Sequence, residues 1–209
     1  MSKKLNTNNN AYIIIYSTVL VVIVAFLLAF VFQALKPMQD ANVALDKKKQ
    51  ILNSLNLRDL DDQTAEKTYQ ETVKEEKTAD GKIYYLCNVK GQTKYVFPLK
   101  GMGLWGGISG FISLNDDGNT VYGAYFNHEG ETAGLGAEIK DSRAWQEKFI
   151  GKKVFDEQGN VVLSVEKKVD NPESQVDVVT GATLTSNGVS DMLRDGLGAY
   201  KDFLTTKEE

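Results

Sequence analysis

The sequence is poor in the residues that build disulfide frameworks and metal centres. Its one cysteine, Cys87, cannot close an internal disulfide, so the fold does not depend on oxidation. Cys87 sits in the apolar run Ile83-Tyr84-Tyr85-Leu86-Cys87 and reads as a small buried hydrophobe rather than a reactive thiol. The single histidine, His128, rules out a multi-histidine metal site. CxxC, Walker and zincin motifs are missing, as is any repeat of fixed period; no metal ligand set is expected. Neither sign of charge dominates. Against 24 Lys and Arg stand 28 Asp and Glu, and a net charge of −4 is too mild to imply a nucleic-acid partner. Residues 5–35 lack charge altogether.

The apolar centre of that uncharged stretch, residues 11–32, would span roughly 33 Å as a helix at the standard rise. A bilayer core measures about 30 Å. Tyr12 and Tyr16 lie near its start, as interface aromatics do. A secretory signal is the competing reading, but the run exceeds a usual signal core. In addition, Phe32-Gln33-Ala34-Leu35 is a poor small-residue cleavage site. A polar tail (residues 1–10) and a retained transmembrane helix (11–35) are therefore expected, tying the chain to a lipid bilayer through one helix. Lysines flank both sides, so charge counting leaves the orientation open. Residues 36–80 read as a juxtamembrane connector and helices. Leu45, Ile51, Leu52 and Leu55 form the apolar stripe of a short helix packing on the following domain. Lys47, Lys48 and Lys49 either reach lipid headgroups or form a solvated face. Residues 59–80 are charge-rich and read as polar helix or loop, the most exposed part of the soluble portion.

From residue 81 the texture turns to β. Residues 82–88 and 93–99 read as a hairpin around 88–92, and residues 110–114 and 120–126 as two more strands joined by 115–119. The acidic loop 115–119 lacks the spacing and distal Glu of an EF-hand, and reads as a turn. A helix is expected over 142–150, a hairpin from 153–155 and 161–165, and a last strand over 176–179. The fold class is α+β: an N-terminal transmembrane helix, then one mixed, mainly antiparallel sheet domain with a few helices, residues 81–209.

The stretch 177–189, D-V-V-T-G-A-T-L-T-S-N-G-V, organises this domain. It ends a β-branched run and opens a helix whose apolar positions are Val189, Met192, Leu193, Leu197, Tyr200 and Leu204. Gly181 and Ala182 admit close approach of a bulky group. Thr180, Thr183, Thr185 and Ser186 crowd four hydroxyls together, with Thr185, Ser186 or Asn187 as the helix N-cap. By itself this is a capped strand-to-helix turn, and its helix N-terminus suits a phosphate. Two glycine-rich segments are candidates to close over a planar ligand. Residues 100–107, K-G-M-G-L-W-G-G, offer Leu104 and Trp105 to flank an aromatic ring. Residues 127–137, N-H-E-G-E-T-A-G-L-G-A, offer Glu131, Thr132, Gly134, Leu135 and Gly136. His128 with Glu129 or Glu131 could form an acid–base pair. A local hydrogen-bonding role fits better, because no nucleophile or metal set accompanies them, and no catalytic residue is assigned.

The string D-V-V-T-G-A-T matches the pattern D-x-x-[S/T]-G-A-T, on which a flavin transferase places FMN through a phosphoester. With its continuation L-T-S-N-G-V it resembles the NqrC family, one of the subunit families of Na⁺-translocating NADH:quinone oxidoreductases. The related RnfG family of Rnf complexes carries a similar motif. The G-x-G-L-W stretch is similar to those flavinylated domains. So is residues 128–136, although Ala133 stands where the family usually has Pro and Gly130 precedes Glu131. The resemblance implies covalent FMN on Thr183, with Asp177, Thr180, Gly181, Ala182 and Thr183 read by the transferase. Thr185, Ser186 and nearby N–H groups would surround the phosphate. Leu104, Trp105 and residues 132–136 would lie at the ring, with Leu184 and Glu131 also in the cofactor site. It also implies an electron-transfer role among other membrane subunits of one redox complex, in the bacterial inner membrane, with the globular part on the periplasmic side. An RnfG-like flavin protein and a cofactor-free membrane-tethered scaffold are the alternatives.

Overall fold

A computed structural model of the chain describes residues 9–79 and 81–205. Most of the expected polar tail, residues 1–8, lies outside the described residues, as do Asp80 and 206–209. The chain divides into two units, Met1–Ala44 and Leu45–Glu209.

Helix α1, Asn10–Ser54, supplies nearly all of the first unit and continues into the second. It is long and apolar enough to cross a membrane, and fits a single-pass anchor. Its large apolar side chains from Ile13 to Phe32 are exposed, as a lipid-facing surface requires. A boundary was expected near residue 36. Helix continues through it, with Pro37 inside and no main-chain donor there for the preceding turn.

In the second unit, the end of α1 buries Ile51, Leu52 and Leu55. Helix α2, Asp62–Thr72, is capped by Asp61, whose carboxylate accepts from the N–H groups of Gln63 and Thr64. Two of the three consecutive lysines near the end of α1 hold it there, and the third reaches the sheet. Lys47 lies over the Tyr85 ring, Lys48 lies over Tyr69 and pairs with Glu66, and Lys49 pairs with Asp62. Lys47 is exposed and Lys48 and Lys49 are partly buried, so they lie on a largely solvated face and also make contacts within the chain.

Strands β1 (Val73–Ala79), β2 (Lys82–Val89), β3 (Gln92–Met102), β4 (Gly107–Leu114) and β5 (Val121–His128) form an antiparallel meander in that order. The last four match the expected strands, extended by one to three residues at most ends. Strand β1 was not expected. Its sequence, V-K-E-E-K-T-A, shows no apolar alternation, and pairing with β2 makes it a strand (Glu76 opposite Tyr85). The ladder between β2 and β3 stops at Tyr85 and Val96. Extending it would set Pro98, which has no N–H, opposite Ile83. The Ile83 carbonyl accepts the Tyr200 hydroxyl at 2.7 Å.

Alternation on the strands divides the sheet's two faces. Val96 and Phe111 face Ile51, Leu55, Tyr85 and Cys87. Phe97 and Ile112 belong to the larger core with Phe126, Trp145, Phe149 and Leu193.

An unexpected single turn, α3 (Glu138–Asp141), precedes the expected helix 142–150, which is the shorter α4 (Arg143–Glu147), capped as expected at Ser142, whose hydroxyl accepts the Trp145 N–H. The expected hairpin 153–165 is not a ladder. Only the bridge between Phe155 and Val161 forms, because Asn119 Oδ1 takes the Val154 N–H of the next rung, and also that of Phe155. Strand β6 (Ser164–Glu166) instead pairs in parallel with β7 (Gln175–Asp177). The last expected helix is α5 (Thr183–Gly198) followed by α6 (Lys201–Thr205). Helix α5 lies tight on β3. A Cβ on Gly101 would meet the Met192 Cβ at 2.7 Å, and one on Gly188 would overlap the Met102 carbonyl.

Burial pushes the Cys87 thiol up from its ordinary 9.0 to about 12. Three pH units leave about a thousandfold less thiolate than an unperturbed thiol. Alkylation by iodoacetamide at pH 8 should be negligible in the folded chain and rapid once denaturant unfolds it.

Candidate functional site

Three segments converge at one end of the sheet. The first is the turn from β3 to β4, closed by the Gly103 N–H on the Gly106 carbonyl at 2.8 Å. The second is the loop of residues 129–136 that leaves β5. The third is the N-terminus of α5 with the residues leading from β7.

One carboxylate joins all three. Glu131 is buried. Its Oε1 accepts the N–H of Trp105 at 2.9 Å, and its Oε2 accepts the hydroxyl of Thr185 at 2.6 Å. His128 Nδ1, at the end of β5, accepts the Glu131 N–H at 3.1 Å, so the His–Glu pair is a hydrogen-bonding arrangement of the loop. Gly103 and Gly136 leave room for the carboxylate. A Cβ on either would overlap a Glu131 oxygen, and on Gly136 would also come within 2.6 Å of the Thr185 hydroxyl. Burial alone would raise the Glu131 pKa. The donors Thr185, Trp105 and Leu104, with the field of His128, outweigh it and hold the carboxyl below its ordinary 4.5.

The predicted site residues fall into two sets. Leu104, Trp105, Thr132, Gly134, Leu135, Thr180, Gly181, Thr183 and Leu184 are exposed. Glu131, Gly136, Ala182, Thr185 and Ser186 are buried. Both buried hydroxyls are committed within the protein: Thr185 to Glu131, and Ser186 as acceptor of the Val179 N–H at 3.1 Å. Both are buried, whereas the Thr183 side chain is exposed. The expected N-cap at Thr185, Ser186 or Asn187 is corrected. The helix begins at Thr183, Ala182 stands at the cap, and no side chain caps it. The helix therefore starts at least three residues earlier than expected, and Ser186, inside its first turn, accepts the Val179 N–H. The N–H groups of Thr183, Leu184 and Thr185 form no hydrogen bond among the described residues. They are ready donors for an anion.

Gly181 has φ +78°, and a Cβ there would meet Leu135 at 2.8 Å. Both the backbone sign and the contact favour glycine. Asp177 is held by Lys148, whose Nζ lies 2.8 Å from both carboxylate oxygens, while its carbonyl accepts Trp145 Nε1–H at 2.8 Å. Lys148, Trp145 and the exposed Met102 were not among the predicted site residues. No local motif marks them, because their link to the site runs through tertiary contacts.

An exposed threonine hydroxyl, an uncapped helix N-terminus and exposed apolar side chains at Leu104, Trp105, Leu135 and Leu184 together fit a phosphate-bearing planar ring. Residues 103–198 match the FMN-binding domain family, so the second unit holds a flavin-binding domain. The NqrC protein of Neisseria meningitidis serogroup B, a Na⁺-translocating NADH-quinone reductase subunit, is 30% identical over 234 residues, covering 90% of each chain. The NqrC of Pasteurella multocida is 43% identical over 118 residues, 56% of this chain and 45% of that protein. Several such alignments span about half of the relative's length. The crystal structure of NqrC from Parabacteroides distasonis is similar with a TM-score of 0.75 and 37% identity, covering 82% of this chain and 97% of that one. Shewanella oneidensis NqrC, at 20% identity and a TM-score of 0.64, shares the fold. The chain belongs to the NqrC family of Na⁺-translocating NADH-quinone reductases.

Replacing Gly136 by Ala should destabilise the domain by about 1–3 kcal/mol through overpacking against Glu131. Gly130→Ala, with only the Trp105 carbonyl at 3.9 Å, should be near neutral, as chemical denaturation will read. Because the Glu131 pKa is depressed on folding, its contribution to stability is present above the ordinary carboxyl range and lost as pH falls through the folded value. Glu131→Gln should therefore flatten the acid limb of a stability–pH curve.

Proposed function

We propose that the chain is the electron-carrying member of a membrane complex that oxidises NADH, reduces quinone and moves Na⁺, with FMN held as a phosphoester on Thr183. The observation that carries this reading is the exposed Thr183 at the uncapped start of α5, the helix that Glu131 joins to the loop bearing the exposed Leu104 and Trp105. The match of residues 103–198 to the FMN-binding domain family and the near full-length alignment to an NqrC protein support it.

In this reading the first-turn N–H groups of α5 and its positive dipole end hold the phosphate, with the Thr180 hydroxyl nearby in sequence. Leu104, Trp105, Leu135 and Leu184 cover part of the ring and exclude water from it. Glu131 holds the three segments in place before the cofactor arrives. FMN supplies the redox chemistry, and the protein supplies position and electrostatic setting. A covalent bond prevents loss of the cofactor while the ring edge stays open to a partner.

Maturation requires a flavin transferase that reads Asp177 to Thr183. The remaining partners are the other membrane subunits of the complex. The quinone and ion sites belong to those subunits, because the uncharged membrane segment of α1 offers no path for an ion. The chain sits in the bacterial inner membrane, its globular part in the periplasm.

Full-length chain co-expressed with a flavin transferase should gain the mass of one FMN-phosphoryl group and fluoresce in a denaturing gel. Thr183→Ala should abolish both. A wild-type protein with the mass of the bare polypeptide sinks the reading. Label that survives in Thr183→Ala moves the attachment to Thr180, since the Thr185 hydroxyl is committed to Glu131.

A further inference from the structure

Among the described residues Glu131 is the one buried carboxylate. Two lines of contact make it unusual. Its partners are neutral: an N–H from Trp105 and a hydroxyl from Thr185. No lysine or arginine pairs with it among the described residues, whose ion pairs all join other groups. Its charge is therefore stabilised chiefly by dipoles, with a smaller contribution from the field of His128, and is not paired with a lysine or arginine among the described residues. The donors keep it ionised at neutral pH. An unneutralised charge away from bulk water acts over a longer range than one at the surface.

The position of this charge follows from what it binds. Thr185 is two residues beyond Thr183 on the same helix, and Trp105 carries one of the exposed aromatic faces of the site. The carboxylate is thus bonded directly to the helix that carries the attachment residue and to the loop assigned to the ring. We infer that Glu131 sets the redox potential of the site: its fixed negative charge makes it less favourable to place an electron on a flavin held over these loops. An electron accepted without a proton adds one unit of negative charge, and a nearby anion opposes that addition. The same carboxylate positions the loops, so its removal has two separable effects, one on charge and one on geometry. This inference rests on the flavin reading above.

The test uses full-length protein matured with the transferase, and reads the midpoint potential by spectroelectrochemical titration. Glu131→Gln keeps the shape and removes the charge. Its potential should move to more positive values. Glu131→Asp keeps the charge but is shorter, so it disturbs the hydrogen bonds more. Its potential should stay closer to wild type than that of the Gln variant. A purely structural role predicts the reverse order, with the isosteric Gln variant the milder of the two. A Gln variant at or below the wild-type potential, or an Asp variant displaced further than Gln, overturns the inference. Should Glu131→Gln not fold or not take up flavin, Thr185→Val serves. It removes one donor, while the N–H groups of Trp105 and Leu104 still hold the carboxylate ionised, so its potential must be no higher than wild type, and a higher value overturns the inference. A wild-type protein without flavin is a different failure, that of the functional reading.

Discussion

How closely helix α5 can lie on strand β3 decides where the site is. Met192 packs over Gly101, and Gly188 passes the Met102 carbonyl at a distance no side chain would permit. This contact sets the height of the helix above the sheet, and so the place at which Thr183 and the free first-turn N–H groups emerge. The apolar face of α5 does the rest, burying Val189, Met192, Leu193 and Leu197. Complete burial of such side chains is worth about 1.5–3 kcal/mol each. The helix is thereby held by its middle and end, leaving its beginning uncapped and open to an anion.

Once α5 is in place, Glu131 brings the two glycine-rich loops to it. A buried carboxylate without partners would cost several kcal/mol. Here the donors come from the loops themselves, so the loops and the charge stabilise one another. This explains why the exposed set (Leu104, Trp105, Leu135, Leu184) and the buried set (Glu131, Gly136, Thr185) alternate so closely along the chain. One set faces outward, and the other forms the frame that holds the loops. The Lys148–Asp177 pair is different. Both side chains are about half exposed, so the pair contributes ~0–1 kcal/mol and orients the acceptor segment more than it stabilises it.

Legibility in the sequence followed the strength of local signals. Strands β2 to β5 were readable because apolar residues alternate along them and Gly, Asn and Asp mark their turns. The Asn88 side chain accepts the Gly91 N–H in the first of these turns, as such a turn requires. Strand β1 was not readable, since its side chains are polar and only its backbone pairing makes it a strand. The hairpin expected over 153–165 fails for a distant reason. Asn119, in another turn, takes the Val154 N–H that the next rung of the hairpin would have used. The lysines of α1 offered two plausible surroundings; they lie on the solvated face and also contact Tyr85, Tyr69, Glu66 and Asp62.

The sequence by itself determined the apolar segment, the antiparallel character of the sheet, and the identity of the stretch around Thr183. These rest on composition, periodicity and contiguous motif, all of which are local. Only the tertiary structure decided which hydroxyls are free. Thr183 and Thr185 are the same residue type two positions apart, and no local rule separates them. One turns to solvent, while the other is bound to a carboxylate 54 residues earlier in the chain. Hydrogen bonding and burial depend on which distant segments meet, and that is settled by packing of the whole domain.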